Sequence, residues 1–171
     1  MKLIVFSGLP GTGKSSLAEA VGRELGIPVF AKDWLEATLL RCEVMPGNPN
    51  KPLGFAGYEL LAVLAKRQLS LGQSVILDSV ATTESIRGLW RGLVNDYQGD
   101  WRVIECICSD VKLHRERLEG RQRDIAGWHE LQWSEVDGMK SYYSSWNEPR
   151  LVLDAVDSFE GNFLSAVQYC R

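Results

Sequence analysis

The segment Gly8-Leu9-Pro10-Gly11-Thr12-Gly13-Lys14-Ser15 fits the pattern G-x-x-x-x-G-K-[ST], and the rest of the chain is read outward from it. It follows the apolar run Leu3 to Phe6, which reads as a strand. It precedes Leu17, Val21 and Leu25, whose four-residue spacing predicts a helix that Gly26 is placed to end. Strand, glycine-rich turn and helix in that order form a cradle for phosphate. Glycines let an anion reach the backbone N–H groups and permit unusual backbone angles. The helix N-terminus adds unpaired donors and the positive end of its dipole. The expected nucleotide-binding residues are Gly8, Gly11, Thr12, Gly13, Lys14, Ser15 and Ser16, while Pro10 has no N–H to offer. Lys14 can bridge the β- and γ-phosphates, and the Ser15 hydroxyl can ligate Mg²⁺. From the chain's own content of Gly, Lys and Ser/Thr, such a match arises by chance only about 0.006 times. The segment is read as a nucleoside triphosphate site.

Short apolar runs recur along the chain. Leu3 to Phe6, Pro28 to Ala31, Ser74 to Leu77, Val103 to Cys108 and Leu151 to Leu153 read as five strands. Helical spacing intervenes, as at Tyr58, Leu61, Ala65 and Leu69 before Gly72. Strands alternating with helices predict a parallel sheet covered on both faces, a three-layer α/β/α domain. The 171 residues are expected to form one domain, 1–171, with a loop from Glu43 to Gly54 and an irregular, charged and Trp-rich stretch from about Glu119 to Trp133. Composition agrees: 45 % hydrophobic and 24 % charged residues are the balance of a globular chain rather than a disordered one. A net charge of −3 gives no general attraction to nucleic acid or to an anionic membrane. No apolar run reaches the length of a secretory signal or a membrane helix, so a cytoplasmic location is expected. Cys106 and Cys108 alternate on one expected strand and read as buried thiols; His114 and His129 read as surface residues.

The remaining motifs concern the type of nucleotide chemistry. Asn50-Lys51-Pro52-Leu53 lacks the Asp of a guanine-reading N-K-x-D. Asp78 closes the third strand and suits a magnesium role through or beside Ser15, or else it caps the next helix. Ser79 follows it where a hydrolysing ATPase often carries a water-activating Glu, which favours transfer over hydrolysis. Asp33, at the end of the second strand, lies where open α/β sheets hold their substrates and can accept a hydroxyl proton. Together with Glu36 it also fits a capping box. Four arginines follow the fourth strand, and Arg117 and Arg121 stand four apart, the spacing of one helix face. Either they neutralise the transferring phosphoryl group or they form a solvated face with Asp110, Glu116, Glu119 and Asp124. Trp128, Trp133 and Trp146 read as packing for the last helix, with an acceptor-pocket wall as the alternative.

These residues resemble the small P-loop kinases grouped as predicted kinases or AAA-like ATP-binding proteins, relatives of chloramphenicol phosphotransferase, gluconate and adenylylsulfate kinases, zeta toxins and polynucleotide kinase domains. The likeness rests on Gly8 to Ser15, Lys32-Asp33, Tyr58 before Leu71 to Asp78, Arg117 with Arg121, and Trp146, Glu148 and Pro149 before Leu151 to Asp154. It implies a sheet of order 2-3-1-4-5, ATP with Mg²⁺, Asp33 as base, and a mobile arginine lid over about 117–133. Polynucleotide kinases carry an Arg three positions after the base; Glu36 stands there and would repel a nucleic-acid phosphate. The expectation is an ATP-dependent phosphotransferase acting on a small-molecule hydroxyl, with Lys14, Asp33, Arg117 and Arg121 catalytic and Ser15 and Asp78 at the metal. The alternatives are a nucleic-acid or nucleotide 5′-hydroxyl kinase and a non-catalytic ATP-binding switch.

Overall fold

Helices cover both faces of a five-stranded sheet, and the strands are accordingly apolar along their buried centres. The computed structural model describes residues 1–43 and 53–171; positions 44–52 of the expected loop lie outside the described residues. The elements run β1 (Lys2–Ser7), α1 (Lys14–Leu25), β2 (Val29–Ala31), α2 (Lys32–Arg41), α3 (Leu53–Ser70), β3 (Val75–Asp78), α4 (Glu84–Asp96), β4 (Asp100–Ile107), α5 (Val111–Glu119), α6 (Trp133–Lys140), β5 (Leu151–Asp154) and α7 (Phe159–Cys170). All strand pairings are parallel and the order is β2-β3-β1-β4-β5. This is the three-layer α/β/α P-loop fold.

Alternation along β1 assigns its side chains to two cores. Leu3 and Val5 join Val75, Leu77 and Val103 under α3 and α4; Ile4 and Phe6 join Ile76 and Ile104 under α1 and α7. Leu3, Ile4, Val5 and Phe6 are fully buried, and burial of each such side chain is worth about 1.5–3 kcal/mol. The central strand is therefore anchored on both sides, and the turn that leaves it at Gly8 starts from a fixed point.

Several expectations need correction. α4 was not among the expected helices, and β4 begins at Asp100 rather than Val103. Tryptophans do not pack the last helix: Trp146 lies in the core beneath α3 and α4, Trp133 meets His114 edge-on, and Trp128 stacks near His129. His114 is buried rather than superficial, whereas His129 is exposed. Of the two strand-four thiols only Cys106 is buried; Cys108, just past the strand, is partly open.

α4 carries an arginine that the sequence pattern conceals. Arg87 is fully buried and lies 3.7 Å from the ring centre of Trp146. Its guanidinium donates to the carbonyls of Ala81 (2.9 Å), Ser144 (2.6 Å) and Ser145 (2.9 Å). It thereby ties the turn after β3 to the segment before β5, and Ala81, held at φ 51°, is part of that turn. Arg87→Met would leave three carbonyls without this donor. Urea unfolding is expected to show a loss of about 3 kcal/mol; a change too small to resolve would mean that the clamp contributes little.

Candidate active site

The glycine-rich turn leaves β1 with φ 138° at Gly8, 90° at Gly11 and 80° at Gly13, and Gly13 occupies the N-cap of α1. A Cβ at Gly8 would lie 2.1 Å from the Cys106 carbonyl oxygen, so the turn lies directly on the end of β4. Thr12 closes the turn internally, its hydroxyl donating to the Leu9 carbonyl at 2.8 Å. Among the described residues, the N–H groups of Gly13, Lys14, Ser15 and Ser16 donate to no backbone carbonyl. They form a ring of open donors at a helix N-terminus, with the Lys14 side chain drawn in to 6 % exposure.

The outer part of the turn is held from α5. His114 is buried, and its Nε2 lies 2.8 Å from the Pro10 carbonyl, which can only accept, so Nε2 carries the hydrogen. Burial lowers the pKa of His114; the Pro10 bond opposes this, and Lys140 and Lys14 add to the lowering. The ring is thus a neutral donor. The Gly11 α-carbon rests on it, since a Cβ there would come within 3.1 Å of the imidazole.

At the C-terminal edge of β3, Asp78 is buried, and its Oδ1 has no partner among the described residues. Burial raises its pKa, with Asp33 and Glu19 adding to the effect, against the opposing pull of Lys14 and the Ser15 hydroxyl. Asp33 is the second residue of α2 and takes no capping-box role: Ala31 is the N-cap, and Glu36 pairs with Lys32 at 2.5 Å. Burial works to raise the Asp33 pKa, but Lys14, Arg123 and Lys32 outweigh it and hold the carboxyl below its ordinary value. The closest of these is Arg123, whose Nη1 donates to Asp33 Oδ2 at 2.6 Å.

The arginines do not share one helix face, because α5 stops at Glu119 with Gly120 as its cap. Arg117, still on the helix, donates to the Ala155 carbonyl at 2.6 Å. Beyond the cap, Arg121 and Arg123 both pair with Glu130, at 3.0 and 3.2 Å, and Arg121 keeps one buried Nη2 unpartnered. Two cavities meet at the turn. One, of about 440 Å³, runs from Gly11–Leu17 past Arg117 and Arg121 to Ala155 and Phe159. The other, of about 370 Å³, is bounded by Ser15, Ser16, Asp33, Asp78 and Trp34. Arg123 borders both.

Thus the expected residues Lys14, Ser15, Asp33 and Asp78 converge on one edge of the sheet. Gly8 lies on the β4 side of the turn and lines neither of these two cavities, and Arg117 and Arg121 stand along the first cavity. The arginine that reaches Asp33 is Arg123, a position that four-residue helical spacing overlooks; Gly120, a helix stop, marks where that spacing ceases to apply. His114 escapes the same reading, although Leu118, buried four residues later, shares its helix face. Ser15 and the orphaned Asp78 oxygen form an oxygen-donor pair suited to Mg²⁺.

Comparison with known proteins identifies the family and the fold. The family model described as an AAA domain matches residues 3–145. An uncharacterized protein of Mycobacterium tuberculosis is 31% identical over 130 residues, covering 71% of this chain but 26% of its own length, so the chain spans about a quarter of that relative. An adenylyl-sulfate kinase of Bacillus licheniformis is 28% identical over 162 residues, covering 89% of this chain and 75% of its own. Among solved structures, a putative kinase of Chloroflexus aurantiacus has a TM-score of 0.78 at 21% identity, covering 99% and 96% of the two chains. A sugar kinase of Janibacter sp. gives 0.73 at 17% identity, covering 99% and 94%. Kti12 of Chaetomium thermophilum, solved with ADP-AlF3, gives 0.71 at 20%, covering 99% of each. These structural likenesses establish the fold.

The His114–Pro10 bond generates its own test. His114→Phe retains a ring for Gly11 to rest on and removes the donor. Its affinity for a fluorescent ATP analogue is expected to fall about fivefold, the worth of one net hydrogen bond, and His114→Gln should recover part of it. Unchanged affinity in His114→Phe would show that the turn holds its shape without the bond.

Proposed function

The chain belongs to the AAA domain family, matched over residues 3–145, and from that premise we propose that it is a kinase moving the γ-phosphoryl group of ATP to a hydroxyl of a small-molecule acceptor. The observation that carries this reading is the position of Asp33. Its carboxylate lines the second cavity, within electrostatic reach of Lys14 of the phosphate turn and in contact with Arg123, which borders both cavities. Phosphate bound at the turn and a hydroxyl bound at Asp33 therefore meet at Arg123.

The chemistry follows from the groups present. The acceptor oxygen attacks the γ-phosphorus, the bond to the β-phosphate oxygen breaks, and ADP leaves. Asp33, held ionised by its cationic neighbours, orients the hydroxyl and takes its proton. Lys14, Arg121 and Arg123 neutralise the charge that spreads over the equatorial oxygens. Arg117 walls the nucleotide side. Ser15, with Asp78 behind it, would hold Mg²⁺, which neutralises phosphate charge when bound. The 120–132 segment acts as the lid: Arg123 releases Asp33 as substrates enter. An adenylyl-sulfate kinase and a sugar kinase among the similar proteins support a small hydroxyl compound as acceptor.

The Arg123–Asp33 pair also favours a second reading, a nucleotide-gated switch, in which ATP merely draws Arg123 away and the segment reports the change. One experiment separates the readings. Purified protein with Mg²⁺ and γ-labelled ATP is incubated with a pooled small-molecule extract and, separately, with a 5′-hydroxyl oligonucleotide. Transfer to a small molecule is expected, falling at least about a hundredfold in Asp33→Ala with ATP affinity retained, while Lys14→Ala loses ATP binding. Label on the oligonucleotide would replace the acceptor class, and bound ATP without transfer to either pool would support the switch.

A further inference from the structure

The second cavity is built with an unusual charge for a site beside phosphate. Four carboxylates line it, Glu19, Asp33, Asp78 and Asp124, against a single cation, Arg123. The first cavity has the opposite character, with Lys14, Arg117, Arg121 and Arg123 against Asp157. Two of the four acids are already accounted for, Asp33 and Asp78 by the reaction, and the one cation, Arg123, is paired with Asp33. On nucleotide binding Lys14 and Arg123 turn to phosphate, and Mg²⁺ at Ser15 faces Asp78. Glu19 and Asp124 then remain, and neither takes part in an ion pair or side-chain hydrogen bond among the described residues. Trp34, which lines the same cavity, is 52 % exposed. The buried Asp78 Oδ1, without a partner among the described residues, lines the same cavity.

Resting on the kinase reading, we infer that the acceptor is a hydroxyl compound that also carries a protonated amine, and that Glu19, Asp124 and Trp34 select it. An ammonium group between two carboxylates gains from both, and an indole face adds a cation–π contact that a neutral or anionic group does not obtain. An acceptor bearing carboxylate, sulfate or phosphate would instead meet Glu19, Asp33 and Asp124 across a partly enclosed space. Glu19, on the second turn of α1, and Asp124, in the segment between α5 and α6, line the same cavity as Asp33, so an amine held by them leaves the hydroxyl to Asp33.

The test uses a small-molecule extract separated at neutral pH into cation-exchanger-retained, unretained and anion-exchanger-retained fractions, each supplied with γ-labelled ATP, Mg²⁺ and the full chain. Label is expected in a product from the cation-retained fraction. Glu19→Gln/Asp124→Asn, two exposed positions outside the phosphate-transfer machinery, should lower kcat/KM for that acceptor about tenfold and leave KM for ATP unchanged. Label from the unretained or anion-retained fraction would overturn the inference while leaving the kinase reading intact, as would a double variant indistinguishable from wild type on the cationic acceptor. Absence of label from all three fractions, with ATP bound, would overturn the kinase reading and with it this inference.

Discussion

The close approach of the glycine-rich turn to the end of β4 is the constraint on which the site depends. At Gly8 there is no space for a Cβ beneath the Cys106 carbonyl, and at Gly11 the α-carbon lies against the His114 ring. The turn is therefore fixed from two sides, by a neighbouring strand and by the helix that follows that strand. α1 then starts with its open N–H groups at the sheet edge, and Lys14 lies within electrostatic reach of both Asp33 and Asp78. Without that contact the donors would have no common focus.

A second consequence is a division of charge across the turn. Cations border the nucleotide side and carboxylates the Asp33 side, with Arg123 at the boundary. Arg123 is held by two acids, Asp33 and Glu130, from different parts of the chain. A polyphosphate entering the first cavity competes for the same guanidinium. In the proposed kinase reaction, donor binding and release of Asp33 would thereby be linked through one side chain, with a conformational step before transfer. Behind this edge, Glu105 of β4 accepts from Tyr143 at 2.9 Å and from Arg150 at 2.5 Å, and the Tyr143 hydroxyl meets Ser7 Oγ at 3.0 Å. That partly buried chain fastens the segment between α6 and β5 to the strand that leads into the glycine-rich turn.

Much of this was legible in the sequence. The strands β1, β2, β3 and β5 lie within a residue of the apolar runs that mark them, and the turn sequence places Lys14 and Ser15 without ambiguity. β4 starts earlier than its apolar run because Asp100, Trp101 and Arg102 pair with Lys2, Leu3 and Ile4 by backbone hydrogen bonding, which polarity does not reveal. α4 has its own signal in Ile86, Trp90 and Val94, but its most informative member, Arg87, looks like a surface charge until its carbonyl partners are known. Arg123 and His114 were hidden for a related reason. Their partners, Asp33 and Pro10, lie 90 and 104 residues away, and local spacing carries no information about such pairs. Glu36 illustrates the converse: local spacing suggested a capping box, and the adjacent Lys32 took the carboxylate instead.

The most direct measurement of the central claim is a ³¹P NMR time course of the wild-type chain with Mg²⁺, ATP and the small-molecule extract. The account requires the γ-phosphate signal to be replaced by a phosphomonoester resonance growing in step with ADP. Inorganic phosphate as the sole product accompanying ADP, or an ATP spectrum that does not change, would contradict it.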